Sequence, residues 1–143
     1  MLNEAGPGER TYAIIFDKGD EVYSGLTRWV KEHGIKAAHF SGIGAFETAM
    51  LGYFDRSRKD YRKISFDEQV EVLTLSGDVA LSDGEPKIHA HVIIGKSDGS
   101  AHGGHLLEAQ VWPTLEVILI ESNRAMRRRF DPEVGLALID LDA

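Results

Sequence analysis

From Val70 onward the chain alternates short runs of Val, Ile and Leu with turn residues, which leaves little room for a long helix. Residues 70–79, 87–95, 102–108, 115–121 and 136–141 form these runs, and Ser82-Asp83-Gly84 and Ser97-Asp98-Gly99 punctuate them. Short β-branched runs broken by Asp-Gly turns predict strands joined by tight connections, hence a largely antiparallel sheet. Earlier in the chain, residues 12–16 are an apolar run suited to a buried strand. Asp20 then offers an N-cap to a helix with Val22, Leu26, Trp29 and Val30 at helical spacing, ended by Gly34. Residues 38–46 open as a strand, where Gly42 and Gly44 predict a bend or close backbone approach, and 48–55 resume extended structure. The expected class is α+β (α/β): about seven strands and one main helix.

A chain of 143 residues, 43% hydrophobic, fits one domain with its own core. Residues 1–10 read as a flexible lead-in and 11–141 as the domain. No run of eighteen apolar residues occurs and the N-terminus lacks the pattern of a signal peptide, so a soluble, cytoplasmic protein with no membrane partner is expected. The absence of cysteine excludes disulfides, thiolate ligands and a thiol nucleophile, so any metal must be held by nitrogen or oxygen. A net charge of −7 opposes non-specific binding to nucleic acid. The cluster Arg124, Arg127, Arg128 and Arg129 runs against that balance and reads as a solvated face.

The six histidines carry the chemistry. His89 and His91 are two residues apart in a predicted strand and project to the same side. His105 lies on the next strand, and the register of the hairpin decides whether it joins them. A three-residue loop Ser97-Asp98-Gly99, with glycine in the left-handed position, pairs Lys96 with Ser100 and hence His91 with His105. A two-residue loop would slip the pairing and send His105 to the other face. In the first register all three imidazoles share one face, with opposed Cβ atoms about 4.5–5.5 Å apart, within reach of one zinc ion. His102 is expected on the opposite face, while His33, in the last helical turn, and His39, in an apolar strand, read as structural. Three neutral histidines leave a coordination position open, which permits catalysis on a small molecule. Glu71, expected on the same side as Leu73 and Leu75, is a candidate base or a subunit-contact residue. No nucleophile elbow or phosphate-binding loop accompanies it.

In order along the chain, Gly19-Asp20, Ser41-Gly42-Ile43-Gly44-Ala45, Tyr53, Glu71-Val72-Leu73-Thr74-Leu75-Ser76-Gly77, His89-Ala90-His91, Gly103-Gly104-His105-Leu106 and Gly135-Leu136 resemble the PCC domain, also called PPC, of prokaryotic proteins. The resemblance implies a homotrimer with a divalent metal, zinc, on His89, His91 and His105. It also implies a regulatory role in contact with DNA or a small ligand, since bacterial members share a DNA-binding name with plant relatives that carry AT-hooks. No Arg-Gly-Arg-Pro hook is present here, so the part that enters an A·T-rich minor groove is missing. A zinc-dependent enzyme acting on a small molecule is the alternative.

Overall fold

The computed structural model describes residues 9–140 and 142. Its elements follow in the order β1 (Arg10–Asp17), α1 (Val22–Glu32), β2 (Ala37–Asp55), β3 (Asp60–Phe66), β4 (Val70–Ser82), β5 (Glu85–Gly95), β6 (Ala101–Glu121), β7 (Arg127–Asp131) and β8 (Leu136–Asp140). The predicted α+β class holds, with eight strands among the described residues rather than about seven. Two pairs of expected strands are fused into the long β2 and β6, and β3 and β7 are additions. Of the expected lead-in, residues 1–8 lie outside the described residues, and β1 already begins at Arg10.

The strand order is β3-β2-β6-β5-β4-β7-β8, with β1 against β6 and β2 returning to pair with β4. Strands β2, β6, β5 and β4 therefore close a ring of ladders. All pairings are antiparallel except a two-residue parallel contact of β4 with β7. Closure demands close backbone approach, and Gly42 supplies it: a Cβ there would lie 2.9 Å from the Glu116 carbonyl oxygen. The register of β2 against β4 shifts between Gly42 and Gly44, which is the predicted bend.

Helix α1 packs its buried face, Val22, Leu26 and Val30, against β5 and β6. Its N-cap is Glu21 rather than the expected Asp20. The Glu21 carboxylate accepts hydrogen bonds from the backbone N–H groups of Tyr23 and Ser24 and from Ala109 on β6, whereas Asp20 accepts from Asp17 N–H. One residue thus satisfies the helix start and ties it to the sheet. Phe40, Phe46, Leu75, Ile94, Leu106, Leu115 and Leu119 fill the interior, and none is more than 1% exposed. No helix among the described residues is long and apolar enough to cross a membrane.

Candidate metal centre

The β5–β6 hairpin adopts the three-residue loop. Lys96 N–H donates to Ser100 O at 2.9 Å and Gly99 N–H to Lys96 O at 2.9 Å, with Gly99 at φ 82°. Left-handed backbone of this kind costs an ordinary residue energy that glycine avoids. Asp98 fixes the loop by accepting from both the backbone N–H and the hydroxyl of Ser100. The register that follows puts His91 directly opposite His105.

All three predicted residues are brought together. The rings of His89 and His91 lie 4.9 Å apart between centroids, His89 and His105 5.1 Å, and His91 and His105 5.6 Å. One nitrogen from each lies within 4.8 Å of the others, so the cluster could hold a metal ion. Two ligands on one tetrahedral zinc with bonds of about 2.0–2.1 Å sit roughly 3.3 Å apart, a difference that small ring rotations close.

The chemistry of the cluster fits a cation. His105 Nδ1 is buried without a hydrogen-bond partner, a state that leaves an imidazole lone pair or N–H unsatisfied. Burial, followed by the neighbouring His89 and His91, pushes the His105 pKa down to about 4. Desolvation and His89 also lower His91, against a weaker opposing pull from Asp78. Two of the three rings are thereby held toward the neutral form that ligates metal.

Three further residues frame the cluster. Asp78 lies opposite His89 in the β4–β5 ladder, with Oδ2 3.8 Å from His89 Nδ1. Arg128 donates to the other carboxylate oxygen of Asp78 at 2.6 Å and to Ala137 O at 3.2 Å. Desolvation raises the Asp78 pKa, but the hydrogen bonds and charges of His89 and Arg128 outweigh it and the net shift is downward. Tyr61 stacks on His105, centroids 4.6 Å apart and planes 29° from parallel.

Asp78 was legible, because an Asp83-Gly84 turn pairing Ser82 with Glu85 necessarily pairs Asp78 with His89. Arg128 departs from the reading of its cluster as a solvated face, its side chain only 11% exposed and ion-paired, whereas Arg124, Arg127 and Arg129 are exposed as that reading expects. Glu71 is not part of the centre. A bulge between Val72 and Thr74 turns Leu73 outward while Leu75 stays buried, so Glu71 does not share a side with both. It lines a separate cavity with Ile43, Leu73 and Trp112. His102 pairs with Ile94 and is exposed, its ring tilted against Phe66. His33 stacks on Trp29 at the end of α1, and His39 is exposed on β2 rather than packed within it.

Residues 3–123 match the family model of the Plants and Prokaryotes Conserved (PCC) domain. The chain belongs to the PCC family. A metal-containing protein from Archaeoglobus fulgidus is 39% identical, with a TM-score of 0.84 over 91% of this chain and 92% of that one. A plant- and prokaryote-conserved protein from Pyrococcus horikoshii is 36% identical, with a TM-score of 0.86 over 92% and 91%. A Bacteroides thetaiotaomicron protein with a provisional DNA-binding name reaches a TM-score of 0.90 at 29% identity, over 93% of each chain. No curated protein matches the sequence. The PCC match ends at residue 123, so the β7–β8 hairpin that carries Arg128 lies beyond it.

Proposed function

We propose that this PCC protein is a metal-binding regulatory module that assembles as a homotrimer, with one divalent ion, zinc, per chain on His89, His91 and His105. The observation that carries the reading is the buried, unpartnered Nδ1 of His105 inside a cluster of three imidazoles. Gathering three such rings gains little unless a shared cation satisfies their lone pairs. The similarity to a metal-containing relative supports it. A zinc ion on three neutral histidines supplies a Lewis-acidic position still open to water or an anionic ligand. The residues of the chain hold and orient that position: Asp78 faces His89, Arg128 fixes Asp78, and Tyr61 covers His105.

Trimer assembly is supported by large apolar side chains on exposed strand positions, among them Ile15, Ile43, Leu73 and Ile118, which a lone chain leaves in water. Three such chains carry −21, which opposes duplex DNA at physiological salt, so the module's partner is expected to be a small ligand before a nucleic acid. Metal analysis of protein purified without a histidine tag tests the reading, with His89→Ala, His91→Ala and His105→Ala alongside. One ion per chain in wild type and sharp losses in all three variants are expected, with circular dichroism unchanged because the apolar core is independent of the ion. A metal-free wild type, or a His105→Ala protein with a full complement, overturns it. Analytical ultracentrifugation checks the trimer, which a concentration-independent monomer would remove.

A further inference from the structure

Between the histidine cluster and the β7–β8 hairpin lies a cavity of about 210 Å³. His89, His105, Tyr61, Lys87 and Ser82 are among its polar lining residues, and β8 contributes Leu136, Ala137 and Leu138. We propose that this cavity binds a small organic anion, a carboxylate on a short apolar chain, with Lys87 and the Tyr61 hydroxyl as its receptors.

Charge decides the sign of the ligand. No Asp or Glu among the described residues lines the cavity. Arg128 borders it but is already committed, its charge balanced by Asp78 and a second N–H given to Ala137 O. Lys87 alternates onto the same side of β5 as His89, and among the described residues it has no ion pair or hydrogen bond. The cavity therefore faces one uncompensated positive charge from the chain itself. The Tyr61 hydroxyl has no partner among the described residues either, while its ring is fixed by the stack on His105. An ammonium and a hydroxyl donor that line one cavity suit an oxyanion.

The other dimensions narrow the class. Leu138 is 42% exposed although it borders the cavity, so an apolar ligand segment covers surface that is otherwise wet. The volume falls below the roughly 300–1,000 Å³ of drug-sized sites, which favours an acid of a few heavy atoms over a nucleotide. The inference rests on the metal-binding reading for one further positive charge, that of the ion, beside His89 and His105 of the lining.

Isothermal titration of the full-length, zinc-loaded protein with butyrate tests it, with n-butanol and inorganic phosphate as comparators and zinc content measured in every sample. Saturable butyrate binding is expected and n-butanol should show none. Lys87→Gln should weaken butyrate about tenfold or more, as expected for a lost charge-assisted hydrogen bond, with zinc content unchanged. Tyr61→Phe keeps the ring and should weaken it several-fold. Leu138→Asn should weaken butyrate and leave phosphate unaffected. A protein that holds zinc yet shows no saturable butyrate binding, or equal binding in Lys87→Gln, overturns the anion site. Phosphate as tight as butyrate together with an indifferent Leu138→Asn overturns the apolar half. A protein that takes up no zinc but still binds butyrate through Lys87 supports the anion site and sinks the metal reading, so the two fail separately.

Discussion

Acidification is the perturbation that reads the electrostatics of the histidine cluster most directly. An ordinary imidazole, with a pKa of about 6.5, is roughly ten-to-one protonated at pH 5.5 and so weakens metal binding about tenfold, because proton and metal compete for one lone pair. Three ordinary ligands together impose a dependence that approaches the cube of proton concentration. His105 departs from this, with its pKa pushed down to about 4 by burial and by His89 and His91, so at pH 5.5 it imposes almost no competition. His91 is lowered as well. Zinc affinity at pH 5.5 is therefore expected to be at least about tenfold higher than three free imidazoles allow. Its logarithm should change with a slope of no more than two between about pH 5 and 6. The same depression acts on folding of the metal-free protein, with a definite sign. The contribution of neutral His105 is complete above its unfolded value near 6.5 and is lost as pH falls toward 4, where the buried ring must charge. Chelator competition across pH 5 to 7, corrected for protonation of the chelator, measures the slope. A slope of three beginning just below pH 6.5 would refute the claim that burial keeps His105 neutral.

Asp78→Ala leaves Arg128, only 11% exposed, without its carboxylate, and should destabilise the fold by about 2 kcal/mol in urea titration. That figure lies below the 3–5 kcal/mol of a fully buried broken pair because Asp78 is itself 30% exposed. If the loss comes from the stranded guanidinium, the double variant Asp78→Leu with Arg128→Met should recover much of it. Gly77→Ala should cost about 1–3 kcal/mol of stability and lower zinc occupancy, because the new methyl group meets the buried Phe40 ring and the backbone oxygen of His89. Thermal unfolding and metal analysis of that one variant read both effects, and an unchanged zinc content would show that His89 is not held through its backbone.

The parts of the fold that could be read from the sequence are those whose pattern is set by neighbours in the chain. Helix α1 has its apolar stripe, and the β4–β5 and β5–β6 hairpins have Asp-Gly turns that narrow the register to a choice of two- or three-residue loops. Once the loop length is fixed, two residues in the first turn and three in the second, the pairings Asp78–His89 and His91–His105 follow by counting. Strand β3 gave no such signal, because its residues are exposed or only half-buried and carry no apolar alternation. Strand β7 is Arg127-Arg128-Arg129-Phe130-Asp131, whose composition speaks for solvent. It becomes a strand through its five-residue ladder with β8, its short contact with β4 and the ion pair of Arg128 with Asp78. Tyr61 and Arg128 reach the centre on those two elements, and were hidden for that reason. The N-cap was misplaced by one residue for a related cause: Asp and Glu stand side by side at 20 and 21, and the contact of Glu21 with β6 decides between them.

The long ladders of the sheet also set an order of assembly. Strand β1 pairs with the C-terminal half of β6, matching Arg10 with Glu121 and Phe16 with Leu115, so the sheet cannot be completed until most of the chain is available. Pairing at such separation is slow, since the entropy of closing the loop is lost before any contact compensates it. Asp78, His89, His91 and His105 belong instead to two successive hairpins with short turns, whose closure demands far less of the chain. During synthesis the ligand set is thus within reach of its own geometry before the ribosome has released β7. A nascent chain can gather the three imidazoles while the wall that carries Arg128 and Leu138 is still to come.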